Sequence, residues 1–176
     1  MKIEIECRQG IKARAAKPFP DRTALISVTD SDRVFAALDN KPAYFLKMKF
    51  DDVTDELFDV ANDVVLAKIL GRTPTEAEAL ELAEHFYIFS DEQADEIALF
   101  VKSILGNADI LICQCEYGQS RSAGIAAAVK QFLSGDGSAI FADDRYFPNK
   151  LVYRKVLNAL IRSDRKRLTW KRLICR

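Results

Sequence analysis

The stretch from Asp109 to Gly135 constrains the fold more than any other part of the chain. Ile110-Leu111-Ile112-Cys113 is an unbroken apolar run, the pattern of a strand buried on both faces. A polar loop containing Gly118 follows. From Ser122 to Leu133 the sequence is alanine-rich and helical, and Gly135-Asp136-Gly137 ends it. Strand, loop and helix in that order are the unit of a parallel sheet, because each parallel strand needs a crossover that also covers it. Other segments repeat the theme. Ile3, Ile5 and Cys7 alternate with charged residues, Ala24 to Val28 is a second buried strand ending in the turn cluster Thr29-Asp30-Ser31-Asp32, and Tyr44 to Phe50 alternates around Lys47 and Lys49. Helical spacing is expected over 56–70, through Leu57, Val60, Ala61, Val64 and Val65, and over the Glu-rich 75–86 after Pro74. Ser90-Asp91-Glu92-Gln93 is a capping-box pattern opening a helix with Ala94, Ile97, Ala98, Val101 and Leu105 on one face, stopped at Gly106-Asn107. A last helix is expected from about Asn149 to Ile161. The fold class is therefore α/β, a mainly parallel central sheet flanked by helices.

Composition narrows the setting. At 176 residues, 49% hydrophobic, the chain suits one domain with a sizeable core. Its 26 basic and 26 acidic residues balance, so overall charge does not mark a nucleic-acid or membrane partner. Along the chain they separate: residues 51–96 carry 14 acidic against 2 basic, and 162–176 carry 7 basic against 1 acidic. No apolar run approaches the length of a membrane span, and Met1 to Cys7 is too charged for a signal core, so a cytoplasmic protein is expected. Four cysteines (Cys7, Cys113, Cys115, Cys175) do not make a disulfide framework, and a single histidine, His85, excludes sites that need two.

The chemistry-bearing segment is Cys115-Glu116-Tyr117-Gly118-Gln119-Ser120-Arg121-Ser122, set between strand and helix. A loop entering a helix N-terminus directs backbone N–H groups inward and, with the helix dipole, suits a tetrahedral anion. The same field favours the Cys115 thiolate, whose pKa in activated sites falls to roughly 3.5–7.5. Arg121 has the donor fork to grip two phosphate oxygens. Gly118 permits a tight turn, and the Ser122 hydroxyl is suited to easing departure of the sulfur.

This pattern resembles the signature loop of the cysteine-dependent protein tyrosine phosphatases, and its late position in the chain resembles the dual-specificity branch. Arg145-Tyr146-Phe147-Pro148-Asn149, with Val152 and Leu157, is similar to the Pro-Asn helix start that follows the loop in that branch. The resemblance implies one phosphatase-like domain over 1–161, with a helical insertion at about 56–88 and a separate basic segment at 162–176. It implies a phosphocysteine on Cys115, with Arg121 and the loop residues Glu116, Tyr117, Gly118, Gln119 and Ser120 binding the phosphate, and Ser122 assisting. Asp52, in Lys49-Phe50-Asp51-Asp52-Val53, falls at the family's general-acid position, with Asp51 beside it. No metal and no cofactor are implied. The substrate would be a phosphorylated protein or a small phosphomonoester, phosphotyrosine first and phosphoserine or phosphothreonine second. Gln114 stands where the family usually has histidine, which keeps a phosphate-binding module without turnover as the alternative. A rhodanese-like sulfur carrier fits less well with the Cys-to-Arg spacing.

The remaining features have plainer readings. Cys113 is expected to be a buried structural thiol, with Cys7 and Cys175 ordinary ones. His85 is expected to be a surface or half-buried residue. The basic 162–176 segment is expected to pack on the domain through Leu168, Trp170 or Leu173, and is the one place suited to nucleic acid. No membrane contact is expected.

Overall fold

The structure, a computed structural model, describes residues 1–53 and 86–174, with side chains through residue 164. The expected helices over 56–70 and most of 75–86, the 56–88 insertion apart from its last three residues, His85 and Cys175 lie outside the described residues. So do the side chains of Leu168, Trp170 and Leu173.

Four strands form one parallel sheet: β1 (Lys2–Glu6), β2 (Thr23–Thr29), β3 (Tyr44–Lys49) and β4 (Ile110–Gln114), in the spatial order β1-β4-β2-β3. Each strand foreseen in the sequence is present. β2 and β4 occupy the centre because they are the two without exposed charge; all seven residues of β2 are buried. The register sets Ile5 of β1 and Ile26 of β2 on either side of Cys113. Ala24, Ile26, Val28, Leu111 and Cys113 point to one face, where three helices cover them. These are α2 (Asp91–Ile104), α3 (Arg121–Ser134) and α5 (Lys150–Ile174). Leu25 and Ile112 point to the other face, against Ile11 of α1 (Arg8–Ala15) and Ala36 of an irregular segment. A single turn, α4 (Ser138–Phe141), links α3 to the approach of α5. Among the described residues no helix is long and apolar enough to cross a membrane.

The capping box of α2 forms as expected: the Ser90 hydroxyl accepts from the Gln93 N–H and the Gln93 side chain accepts from the Ser90 N–H. The helix ends one residue earlier than the periodicity implied, so Ile104 and not Leu105 completes its buried face. Gly135 takes the left-handed conformation that closes α3. Asn149 opens α5, its side-chain oxygen accepting from the Val152 N–H at 3.0 Å. That helix does not stop near Ile161 but runs to Ile174, since no glycine or proline interrupts a sequence rich in Leu, Lys and Arg. α3 and α5 approach closely at Gly124, where a β-carbon would sit 2.7 Å from the Asn149 carbonyl oxygen. This contact fixes the start of α5 beside the start of α3.

Candidate active site

The carboxyl ends of β2, β3 and β4 converge on one side of the sheet, the usual place for a ligand site in parallel α/β folds. β4 delivers Gln114 and Cys115, and the loop 115–120 leads into α3. Cys115 is 2% exposed, and its Sγ lies 3.0 Å from the Ser122 Oγ in the first turn of α3. The N–H groups of Glu116 to Ser120 donate to no acceptor among the described residues. The loop is anchored from outside: the Cys115 N–H donates to the Glu6 carbonyl at 3.4 Å, and the Arg8 N–H donates to the Glu116 carbonyl at 3.0 Å. Gly118 has φ +70°, and a β-carbon there would lie 2.7 Å from the Cys7 nitrogen and 2.8 Å from the Glu6 carbonyl carbon. Both strain and backbone collision therefore demand glycine. Gly118→Ala is expected to cost about 2 kcal/mol or more, read as a lowered midpoint in urea unfolding.

Arg121 is 3% exposed and sits in a row of alternating charges. Its Nη1 donates to the Phe50 carbonyl at 2.8 Å and lies 2.6 Å from the Asp30 Oδ1. Asp30 also faces the Arg33 Nε at 3.3 Å; Arg33 reaches Glu116 at 3.3 Å, and Glu116 reaches Arg8 at 3.4 Å. The row ties the signature loop to the segment after β2 and to the start of α1. It also fixes the guanidinium in one orientation, because a buried cation needs a partner. Among the described residues Arg121 Nε is buried with no hydrogen-bond acceptor, and Asp52 Oδ2 lies 3.8 Å from it. A buried donor left unmade costs free energy on the order of 1–3 kcal/mol, which an anion at the loop would recover.

The two aspartates after β3 have separate roles. Phe50 packs on Phe89 with ring centroids 4.5 Å apart, which anchors the segment. Asp51 turns away from the loop. Its carboxylate accepts from the Ser31 N–H (2.9 Å), the Ser31 hydroxyl (2.9 and 3.0 Å) and the Tyr87 N–H (2.7 Å). Partial burial pushes its pKa up, but these hydrogen bonds and the nearby Arg121 charge outweigh that and hold the carboxyl below the usual carboxylate range. Asp52 turns toward the loop. Its Oδ1 accepts from the Ser120 hydroxyl at 2.7 Å and the Asn149 Nδ2 at 2.9 Å, and the side chain remains about one-third exposed.

Gln114 is fully enclosed and satisfied at both ends. Its Oε1 accepts from the Ser27 hydroxyl at 2.6 Å, and its Nε2 donates to the Cys115 carbonyl at 2.7 Å. The neutral amide thus holds the residue that carries the thiol. Cys113 is fully buried, as expected of a structural thiol, and burial together with neighbouring Cys115 pushes its pKa up. Cys7 caps α1, its Sγ accepting from the Gly10 N–H at 3.2 Å.

Of the residues singled out in the sequence, Cys115, Arg121, Ser122, Ser120 and Asp52 come together. The Glu116 side chain points away into its contacts with Arg8 and Arg33, and Tyr117 is 74% exposed at the mouth. Glu116 and Gly118 therefore offer the site only their main chain. Sequence reasoning did not find Asp30, read there as a turn residue, nor Ser27. It found Asn149 only as a helix start. The available signal was position: Asp30 stands one residue beyond the carboxyl end of a buried strand. A groove of about 1270 Å³ along the outer edge of β1, lined by Ile3, Ile5, Ile140 and Tyr146, shares no residue with the loop. No protein-family model matches this chain, and no curated protein matches it.

Proposed function

We propose that this chain is a phosphatase that hydrolyses phosphate monoesters through a phosphocysteine on Cys115. The observation that carries the reading is a set of donors around a buried thiol that have no acceptor among the described residues: Arg121 Nε and the 116–120 N–H groups. Such a set matches the three equatorial oxygens of a phosphoryl group in transfer. In this mechanism the Cys115 thiolate attacks phosphorus, the P–O bond to the leaving group breaks, and Asp52 supplies that oxygen with a proton. Water then attacks the phosphocysteine with Asp52, now the carboxylate, taking its proton. The sulfur leaves as thiolate, which the Ser122 hydroxyl stabilises. The parallel order β1-β4-β2-β3, with its cysteine at the end of a central strand, is compatible with the resemblance to dual-specificity phosphatases.

The test is hydrolysis of para-nitrophenyl phosphate from about pH 5 to 8, with and without EDTA. EDTA-insensitive turnover is expected. Arg121→Lys keeps a cation for Asp30 but removes the fork, and kcat should fall by roughly 10²–10³, the scale of losing one oriented donor to the transition state. Gln114 in place of histidine favours one other reading, a phosphate-binding module. Saturable binding of phosphate or vanadate without turnover would select it.

A further inference from the structure

Any phosphate that reaches Cys115 leaves its carrier at the mouth of the loop, and exposed apolar side chains stand beside that mouth. Among the described residues the most exposed large hydrophobic side chains are Val34 (77%), Tyr117 (74%), Phe147 (70%), Leu99 and Tyr87 (57%). Tyr117 lies in the loop, Phe147 is bonded to it, and Val34 is joined to it through Arg8; Tyr87 stands beside Asp51. Val34 is held by its carbonyl, which accepts from Arg8 Nη2 at 2.8 Å beside Glu116. The Phe147 N–H donates to the Gln119 carbonyl at 2.9 Å, and the Tyr87 backbone bonds Asp51 in both directions. The backbone that carries Val34 and Phe147 is therefore tied to the site. Apolar clusters of this kind mark interaction surfaces.

We propose that the mouth docks a polypeptide, and that the phosphorylated residue it receives is flanked by apolar side chains resting on Val34 and Phe147. The inference rests on the phosphatase reading and narrows its substrate. Charge favours a polypeptide over a lipid surface or a nucleic acid. Asp30, Asp52 and Glu116 are matched by Arg121, Arg33 and Arg8, so these pairs leave no surplus of positive charge to hold an anionic surface. Arg8 and Arg33 are engaged by Glu116, and Arg33 also by Asp30. Val34 and Phe147 contribute no side-chain hydrogen bond or charge to the cradle itself, so they read the flanking residues and not the phosphate.

Two phosphotyrosine peptides of equal length and charge, with leucine or serine on both sides of the phosphotyrosine, test this. Wild-type kcat/KM should favour the leucine peptide about tenfold, the scale of an apolar contact in a specificity pocket. Val34→Ser and Phe147→Ser should each lose most of that preference while para-nitrophenyl phosphate turnover stays within about twofold. Equal treatment of the two peptides by the wild type, or variants that keep the preference, overturns the proposal. So does binding to phosphatidylserine vesicles that Phe147→Ser abolishes while the peptides are treated alike, which would assign the patch to a membrane. Fluorescence anisotropy of the same peptides on the Cys115→Ser protein separates the two readings. A leucine preference there without wild-type turnover sinks hydrolysis and keeps docking. Turnover without that preference sinks docking alone.

Discussion

Cys115→Ser should bring hydrolysis of para-nitrophenyl phosphate to background, a loss on the order of 10⁶ as for other covalent nucleophiles, while phosphate or vanadate still binds. The two halves of this expectation have separate causes. Turnover depends on an ionised sulfur, and a serine hydroxyl in the same place stays protonated at neutral pH. Binding depends on donors that the substitution leaves alone: the N–H groups of residues 116–120 and the guanidinium of Arg121, held by Asp30 and the Phe50 carbonyl. Ser122 loses its sulfur partner at 3.0 Å but gains an oxygen one. Cys113 cannot substitute as nucleophile, being fully buried with its thiol pKa pushed up. Stopped turnover with retained binding is measured by pairing the rate assay with calorimetric titration of vanadate. Residual turnover near wild type would sink the phosphocysteine mechanism.

How far the sequence revealed this site follows from which signals are local. Strands and capped helices are: the apolar run 110–113, the Ser90–Gln93 box and the glycine after Ser134 each state a backbone preference within a few residues, and each appears where expected. α1 was not legible. Only Ile11 and Ala15 of its eight residues are buried, and its cap is the thiol of Cys7, outside the usual Ser, Thr, Asp and Asn. The far end of α5 was missed for the opposite reason: the apolar periodicity fades after Ile161 while helix propensity does not. Within the site, Cys115, Arg121 and Ser122 could be read because their spacing along one loop is their spacing in space. Asp30 and Ser27 could not, because they belong to the site only through the pairing of β2 beside β4, which sets Ser27 opposite Gln114. Long-range pairing of that kind leaves no mark in the adjacent sequence.

Asp52→Asn should slow hydrolysis of an alkyl phosphate by ~10²–10⁴, the range for removal of a general acid, and that of para-nitrophenyl phosphate far less. Para-nitrophenolate leaves without help, whereas an alkoxide needs its proton in the transition state. In the proposed mechanism the geometry selects the oxygen that delivers it. Asp52 Oδ1 is committed to Ser120 and Asn149, so Oδ2, 3.8 Å from Arg121 Nε, is the oxygen open to a phosphate ester on that guanidinium. Asparagine keeps the shape and an acceptor for those two donors, so the loss should be chemical and not structural. Asp51 is the control. Its carboxyl is held below the ordinary carboxylate range, so it is ionised at neutral pH and has no proton to give. Its charge instead supports the fold: that contribution is complete above the unfolded-state pKa and is lost as the pH falls through the lowered folded-state value. Asp51→Asn should therefore reduce the urea midpoint at pH 7, narrow the difference between pH 7 and acid, and leave the leaving-group dependence of the rate intact. Rates across a series of phosphate esters of rising leaving-group pKa decide the matter. A steepened dependence in Asp52→Asn but not in Asp51→Asn assigns the acid to Asp52, and the reverse pattern would move it one residue back along the chain.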